Sequence, residues 1–141
     1  MNRQRGSKME AARRQSKKRD AIRELLLASY DHPSAEEIYR RLKPEIPDLS
    51  LGTVYRNLAL FREEGKAMCV ATVDGQERFD GRTHAHAHFI CERCGRVDDV
   101  AAKPEDFVSD AMPGEIRTWA LTFYGICREC AEIIKENNKE I

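Results

Sequence analysis

Apolar residues recur at intervals of three and four along three stretches of the N-terminal half, and this spacing predicts three amphipathic helices. The first helix is expected to begin near Lys18, because residues 1–17 lack apolar periodicity and resemble a disordered basic tail. A capping box at Ser34 opens the second helix, and the third runs from Leu51 until Gly65 ends it. The apolar positions expected to face a core are Ile22, Leu25, Leu26, Ile38, Tyr39, Leu42, Leu51, Val54, Leu58 and Phe61.

An alternating pattern follows the third helix and predicts a β-hairpin. Residues 68–73 form the first strand, Asp74 and Gly75 the turn, and residues 77–79 the return strand. Three helices followed by a hairpin describe a winged helix. We therefore expect residues 1–80 to form a winged-helix DNA-binding domain.

The third helix of such a domain would enter the major groove of DNA. Its polar face carries Thr53, Tyr55, Arg56 and Asn57, residue types that contact base edges and phosphates. On pattern alone, this helix could also be a half-exposed helix of an ordinary bundle.

The pattern changes again after residues 81–84, which we interpret as a hinge, and a smaller domain is expected over residues 85–141. Short strands are predicted at residues 86–91, 96–101 and 116–124. Helices are predicted after Pro104 and over residues 128–137. Such a sheet buries little apolar surface by itself. The predicted fold class is α+β, with a winged-helix domain followed by a small α/β domain.

The net charge of zero conceals an asymmetry along the chain. Residues 1–23 carry nine Lys or Arg against Glu10 and Asp20, a charge of +7, and the remainder carries −7. A basic end favours a polyanion such as DNA, although a solvated tail explains the charge equally well. No apolar run approaches the roughly 18 residues that span a bilayer, and the N-terminus lacks a secretion signal, so we expect a cytoplasmic protein without membrane contact.

Four of the five cysteines form two CxxC pairs, Cys91 with Cys94 and Cys127 with Cys130. In a reducing compartment such pairs favour metal over disulfides, and four thiolates supply the closed tetrahedral shell that suits a structural Zn(II). A dithiol redox role is the alternative. Cys69 stands apart in the predicted hairpin, where a small core hydrophobe is expected.

A second set of metal donors lacks thiolate. His32, His86 and His88 with Asp80 and Asp99 offer imidazole and carboxylate, a set suited to Fe(II), Mn(II) or Zn(II). A strand would project His86 and His88 from one face. Taken singly, His32 could simply end a loop and the two aspartates could be solvated turn residues, so only the HxH pair indicates ligands by its spacing.

Several stretches together carry a family resemblance: HPSAEEIY at 32–39, SLGTVYRNL at 50–58, RFD at 78–80, HAHFIC at 86–91 and YGIC at 124–127. From about Arg19 to Cys130 the chain resembles the ferric uptake regulator family of metal-dependent repressors. The resemblance implies a winged-helix domain joined by a hinge to an α/β dimerisation domain. It also implies that the four paired cysteines hold structural zinc.

The resemblance further assigns His32, Asp80, His86, His88 and Asp99 to the family's regulatory metal site, for Fe(II) or Mn(II). Aspartate at residue 99 is similar to the peroxide-responsive branch, whereas iron-sensing members usually carry glutamate there. That branch implies a repressor in which Fe(II) directs peroxide oxidation to a ligand histidine, here His32 or His86. Mn(II) in the same site would support repression and resist peroxide.

An iron-sensing regulator of iron homeostasis genes is the main alternative within the family, although Trp119 stands where many iron sensors use a histidine in a further metal site. Outside the family, a metallohydrolase could use the HxH pair to activate water, and a zinc-ribbon adaptor would need only the cysteines. The sequence has no clear general base, and we expect no enzymatic activity. The expected partners are a second copy of the chain and double-stranded DNA with a near-palindromic operator.

Overall fold

The computed structural model describes residues 3–84, 86–102 and 104–140. The chain divides into two compact units. The N-terminal unit comprises the residues up to Thr72 together with Gln76–Thr83, and the C-terminal unit comprises Val73–Gly75 and the residues from His84 onward. The expected domain start at residue 85 lies outside the described residues.

The N-terminal unit consists of three helices followed by a hairpin, the order expected of a winged helix. Its elements are α1 (Arg3–Ala28), α2 (Ala35–Leu42), α3 (Leu51–Glu63), β1 (Met68–Val73, whose last residue groups with the C-terminal unit) and β2 (Gln76–Asp80). Strands β1 and β2 form a two-stranded sheet. Ser34 and Ser50 cap α2 and α3, because their hydroxyl oxygens accept the N–H groups of Glu37 and Thr53 at 3.2 and 3.1 Å.

One face of each helix packs into a single apolar core. Its buried members are Ile22, Leu26, Ala35, Ile38, Leu42, Ile46, Leu49, Val54, Leu58, Phe61, Ala67 and Phe79. Leu25 and Tyr39 are half-buried against it, and so is Cys69, as expected for a small hydrophobe. The helical periodicity therefore predicted the helical part of this core correctly except for Leu51, which is half-buried and not packed against it.

The first helix is longer than predicted, because it begins at Arg3 rather than near Lys18. Arg, Lys, Gln, Glu, Met and Ala dominate its early turns and are strong helix formers, and the packed end of the helix supplies the nucleus from which they propagate. The expectation of a disordered tail is therefore wrong for the described part, and residues 1 and 2 lie outside it. No described helix is both long and apolar enough to cross a membrane.

The C-terminal unit contains a three-stranded sheet and one helix. Its elements are β3 (Ala87–Cys91), β4 (Val97–Val100), β5 (Leu121–Gly125) and α4 (Arg128–Lys139). The strand order is β4-β3-β5, with β3 antiparallel to β4 and parallel to β5. This sheet agrees with the predicted α/β character of the second half.

Two predicted elements of this unit differ from the structure. The helix expected after Pro104 is only a short 3-10 turn, Pro104–Asp106, because the following residues include Ser109, Asp110 and the Pro113-Gly114 pair, which favour turns. The strand expected over residues 116–124 begins only at Leu121. The buried apolar residues of the described unit are Ala87, Ile90, Cys91, Val97, Cys127 and Cys130, so half of this small core is cysteine.

Candidate metal centres

The two CxxC pairs meet at one end of the sheet. Cys91 closes β3, and the parallel register places it opposite Gly125, two residues before Cys127. The four Sγ atoms all lie within 4.8 Å of one another. The Sγ atoms of Cys94 and Cys127 are 3.9 Å apart, close to the edge of about 3.8 Å expected for a tetrahedron with Zn–S bonds of about 2.3 Å.

Backbone N–H groups point at the sulfur atoms of this cluster. Cys91 Sγ accepts from the N–H of Cys127 at 3.3 Å and from that of Cys94 at 3.5 Å, and these bonds lower the pKa of Cys91 to about 6, whereas burial and the neighbouring sulfurs raise the pKa of Cys94 to about 11. Cys127 caps α4 and its Sγ accepts from the N–H of Cys130 at 3.5 Å. Because zinc binds the thiolate, donors that favour the charged sulfur fit a four-cysteine zinc site.

The N-terminal unit contains a buried histidine and carboxylate at the ends of two segments that contact each other. His32 precedes α2, Asp80 ends β2, and both side chains are fully buried. Nδ1 of His32 lies 3.6 Å from Oδ2 of Asp80, too long for a hydrogen bond and close to the separation of about 3 to 3.5 Å between two ligands of one ion. We call this pair the N-terminal half-site.

Backbone geometry fixes the histidine of the N-terminal half-site. His32 has φ +51°, in the left-handed region that few non-glycine residues adopt. Arg78 on β2 donates to the carbonyl oxygens of His32 and Asp31, and Phe79 N–H donates to Pro33 O at 3.1 Å. These bonds attach the loop to the strand that ends at Asp80, which brings the two metal donors together.

The C-terminal unit contains the other three predicted donors. The antiparallel register places His88 directly opposite Asp99, and Asp99 Oδ1 lies 3.4 Å from Nε2 of His88 and 3.2 Å from Nε2 of His86. Nδ1 of His86 is 2.7 Å from the carbonyl oxygen of His84, a contact that favours a proton on Nδ1 and leaves Nε2 as the donor to a metal. We call His86, His88 and Asp99 the C-terminal half-site.

The third helix presents fewer DNA-contact candidates than predicted. Tyr55 and Arg56 are exposed, but Thr53 and Asn57 are only 6% and 9% exposed. Thr53 joins the N-cap, with its Oγ1 2.8 Å from the hydroxyl of Ser50, and Asn57 Nδ2 donates to Thr53 O at 2.9 Å. The expectation that all four are available on the polar face is therefore wrong for Thr53 and Asn57, whose polar groups are used inside the helix.

The fold and the donor sets together define a metal-binding protein built on a winged helix. The chain belongs to the ferric uptake regulator family, whose family model matches residues 10–124. This is a family of metal-responsive regulators, and the resemblance drawn from the sequence motifs is confirmed.

Individual relatives agree with this assignment. The chain is 36% identical over 118 residues to the peroxide-responsive repressor PerR of Staphylococcus epidermidis, covering 81% of this chain and 79% of that protein. The solved Helicobacter pylori ferric uptake regulator Fur, described as having three functional metal binding sites, is 25% identical with a TM-score of 0.71, over 82% of this chain and 80% of that chain. The Campylobacter jejuni peroxide stress regulator, 23% identical, shares the fold with a TM-score of 0.72 over 92% and 100% of the two chains.

Proposed function

We propose that the chain is a DNA-binding transcriptional repressor that requires metal and that senses peroxide when the metal is Fe(II). The observation that carries the proposal is the pair of half-sites, in which histidine and aspartate donors converge without any thiolate. Such donors suit Fe(II) and Mn(II). The 36% identity to a peroxide-responsive repressor supports the peroxide signal over a metal-level signal.

In this proposal the two half-sites bind one regulatory ion. His32 and Asp80 offer two donors, and His86, His88 and Asp99 offer three, so neither set fills the shell of a five- or six-coordinate ion by itself. An ion shared by both units would fix their relative orientation. If that orientation fits the operator better, metal raises the affinity for DNA by the same factor by which DNA raises the affinity for metal. The corresponding coupling free energy is typically about 1 to 3 kcal/mol.

When bound, Fe(II) would catalyse the reaction of peroxide with its ligands, whereas Mn(II) would not, because it resists oxidation by peroxide. The histidine side chains are the proposed targets. The ring of His32 or His86 gains one oxygen atom from hydrogen peroxide, and the other oxygen of the peroxide is released as water. The ring thus loses two electrons and the peroxide gains two. The modified ring no longer binds metal, the two units are released, and repression ends.

The exposed part of α3 supports the DNA-binding role. Arg56 lies on the exposed face beside Tyr55 and is anchored by a 3.1 Å bond from its Nη2 to Thr53 Oγ1. We expect Arg56→Gln to weaken operator binding by about tenfold or more, because a guanidinium contact to a base or phosphate is lost. Arg62→Gln is the matched control, since Arg62 lies on the last turn of the same helix and pairs with Glu77 at 3.5 Å.

Fluorescence anisotropy over a series of salt concentrations measures both effects on operator binding. If Arg56 contacts a phosphate, its loss also lowers the slope of log affinity against log salt by about one. Equal affinities for Arg56→Gln and Arg62→Gln would contradict a role for α3 in DNA contact.

A second copy of the chain is the proposed partner of the C-terminal unit. Strand β5 lies at an edge of the sheet and carries exposed Phe123 and Tyr124, and Ile133 and Ile134 on α4 are also exposed. Exposed apolar side chains along an edge strand favour association. A homodimer would present two α3 helices to the two halves of a near-palindromic operator.

Operator binding before and after peroxide tests the proposed function. The full-length protein, loaded anaerobically with Fe(II) or with Mn(II), is bound to a duplex selected from a random pool by the Mn(II) form, and a small dose of hydrogen peroxide is added. We expect loss of binding only with Fe(II), together with one added oxygen on the peptide of His32 or His86 in mass spectrometry. Retained binding with unmodified histidines would overturn the peroxide sensor and favour the iron-sensing alternative.

A further inference from the structure

Arg82, two residues after the end of β2, contacts both Asp80 and the end of α1. Its backbone N–H donates to Asp80 Oδ1 at 2.8 Å, and its Nε lies 3.3 Å from the same oxygen. Its Nη2 donates to the carbonyl oxygen of Ser29 at 2.8 Å. The guanidinium carbon lies 4.0 Å from the centre of the Tyr30 ring, within the range of a cation–π interaction.

These contacts give the two oxygens of Asp80 different surroundings. Oδ1 faces the backbone and side chain of Arg82, and Oδ2 faces His32 Nδ1. The carboxylate is fully buried, whereas the Arg82 side chain is 20% exposed. A buried carboxylate keeps its charge only with such a partner, and here the partner occupies one oxygen alone.

We propose that Arg82 is a positioning residue for the regulatory metal, an inference that rests on the proposed function. It holds Asp80 with Oδ1 turned toward the guanidinium, so that the carboxylate binds the ion through Oδ2 only. Ser29 and Tyr30, directly after α1, anchor the guanidinium, so a residue of the predicted hinge connects Asp80 to the helical part of the N-terminal unit. In the metal-bound protein Asp80 would then offer one oxygen to the ion rather than two.

Arg82 could affect the ion through its charge as well as through its position, and two variants separate these effects. Arg82→Lys keeps the positive charge but lacks the planar fork that reaches both Asp80 and Ser29. Arg82→Gln removes the charge. If Arg82 acts by positioning Asp80, both variants should bind metal more weakly than the wild type. If its charge simply repels the ion, Arg82→Gln should bind metal more tightly and Arg82→Lys should bind it as the wild type does.

Metal titration of the zinc-loaded, full-length protein tests the proposal without DNA or peroxide. We expect both variants to lose about 10- to 100-fold in Mn(II) affinity, the usual effect of removing a group that orients a ligand. With Co(II) as the probe, we expect weaker visible absorption bands, because a loosened Asp80 adds its second oxygen and raises the coordination number. Arg41→Gln, which breaks a surface pair with Asp31, is the control and should match the wild type.

A double-mutant cycle decides whether Arg82 acts through Asp80. In an Asp80→Asn background there is no carboxylate to position, so adding Arg82→Gln should change Mn(II) affinity by no more than about twofold. An undiminished loss in that background, or an unchanged affinity and Co(II) spectrum in both single variants, would overturn the proposal. A wild-type protein that binds zinc but no second metal would instead overturn the proposed function, and with it this inference.

Discussion

Replacing Cys127 with serine is expected to unfold the C-terminal unit and leave the helices of the N-terminal unit in place. Half of the small buried core of the described C-terminal unit is cysteine, so we expect its stability to depend on a metal bound by the four thiolates more than on apolar burial. Structural zinc contributes an apparent binding free energy of about 10 kcal/mol or more, and losing one thiolate from a closed shell removes much of it. Circular dichroism and zinc content per chain measure the effect.

Cys69→Ser provides the control for this experiment. Cys69 is half-buried against the core of the N-terminal unit, away from the four clustered sulfurs. This variant should retain its zinc and lose about 1 kcal/mol or less of unfolding free energy. A Cys127→Ser protein that still holds one zinc per chain with unchanged thermal unfolding would contradict a structural zinc site.

The second large effect is expected for His88→Ala, which should lower Mn(II) affinity more than 100-fold and abolish metal-dependent operator binding. His88 is only 3% exposed and faces Asp99 across the β3–β4 ladder. Its loss would remove one of the proposed ligands and leave the carboxylate of Asp99 without the imidazole opposite it. Isothermal titration calorimetry measures the Mn(II) affinity, and a binding assay with excess Mn(II) measures the affinity for the operator.

His84→Ala is the matched control for His88→Ala. His84 lies two residues before His86 but is exposed; its carbonyl oxygen is 2.7 Å from Nδ1 of His86, and its ring centroid is 4.9 Å from that of His86. We expect its Mn(II) affinity to stay within about threefold of the wild type, since the backbone carbonyl survives the substitution. If both variants lost metal alike, the C-terminal half-site would have been assigned to the wrong donors.

The elements that local chemistry specifies were predictable from the sequence. Serine caps and a stopping glycine define the ends of α2 and α3, and the Asp74-Gly75 pair defines the hairpin turn. The cysteine pairs were predictable for a similar reason, because each CxxC is a local knuckle. Only their meeting required the parallel register of β3 and β5.

The features that escaped prediction depend on contacts between distant residues. The sequence GRT around Arg82 carries no signal that its side chain reaches Ser29, 53 positions earlier. The left-handed backbone of His32 is held by Arg78, 46 positions later, and no local pattern indicates it. Thr53 and Asn57 were misplaced because periodicity describes which face a residue occupies and not how its polar group is satisfied.

The parallel pairing of β3 with β5 also determines when the C-terminal unit can fold during translation. Cys94 and Cys127 are 33 positions apart, so a growing chain exposes the first pair of zinc ligands long before the second. The winged helix, whose last strand ends at Asp80, is synthesised before either pair. We therefore expect the N-terminal unit to fold during translation before the four-cysteine cluster of the C-terminal unit can form.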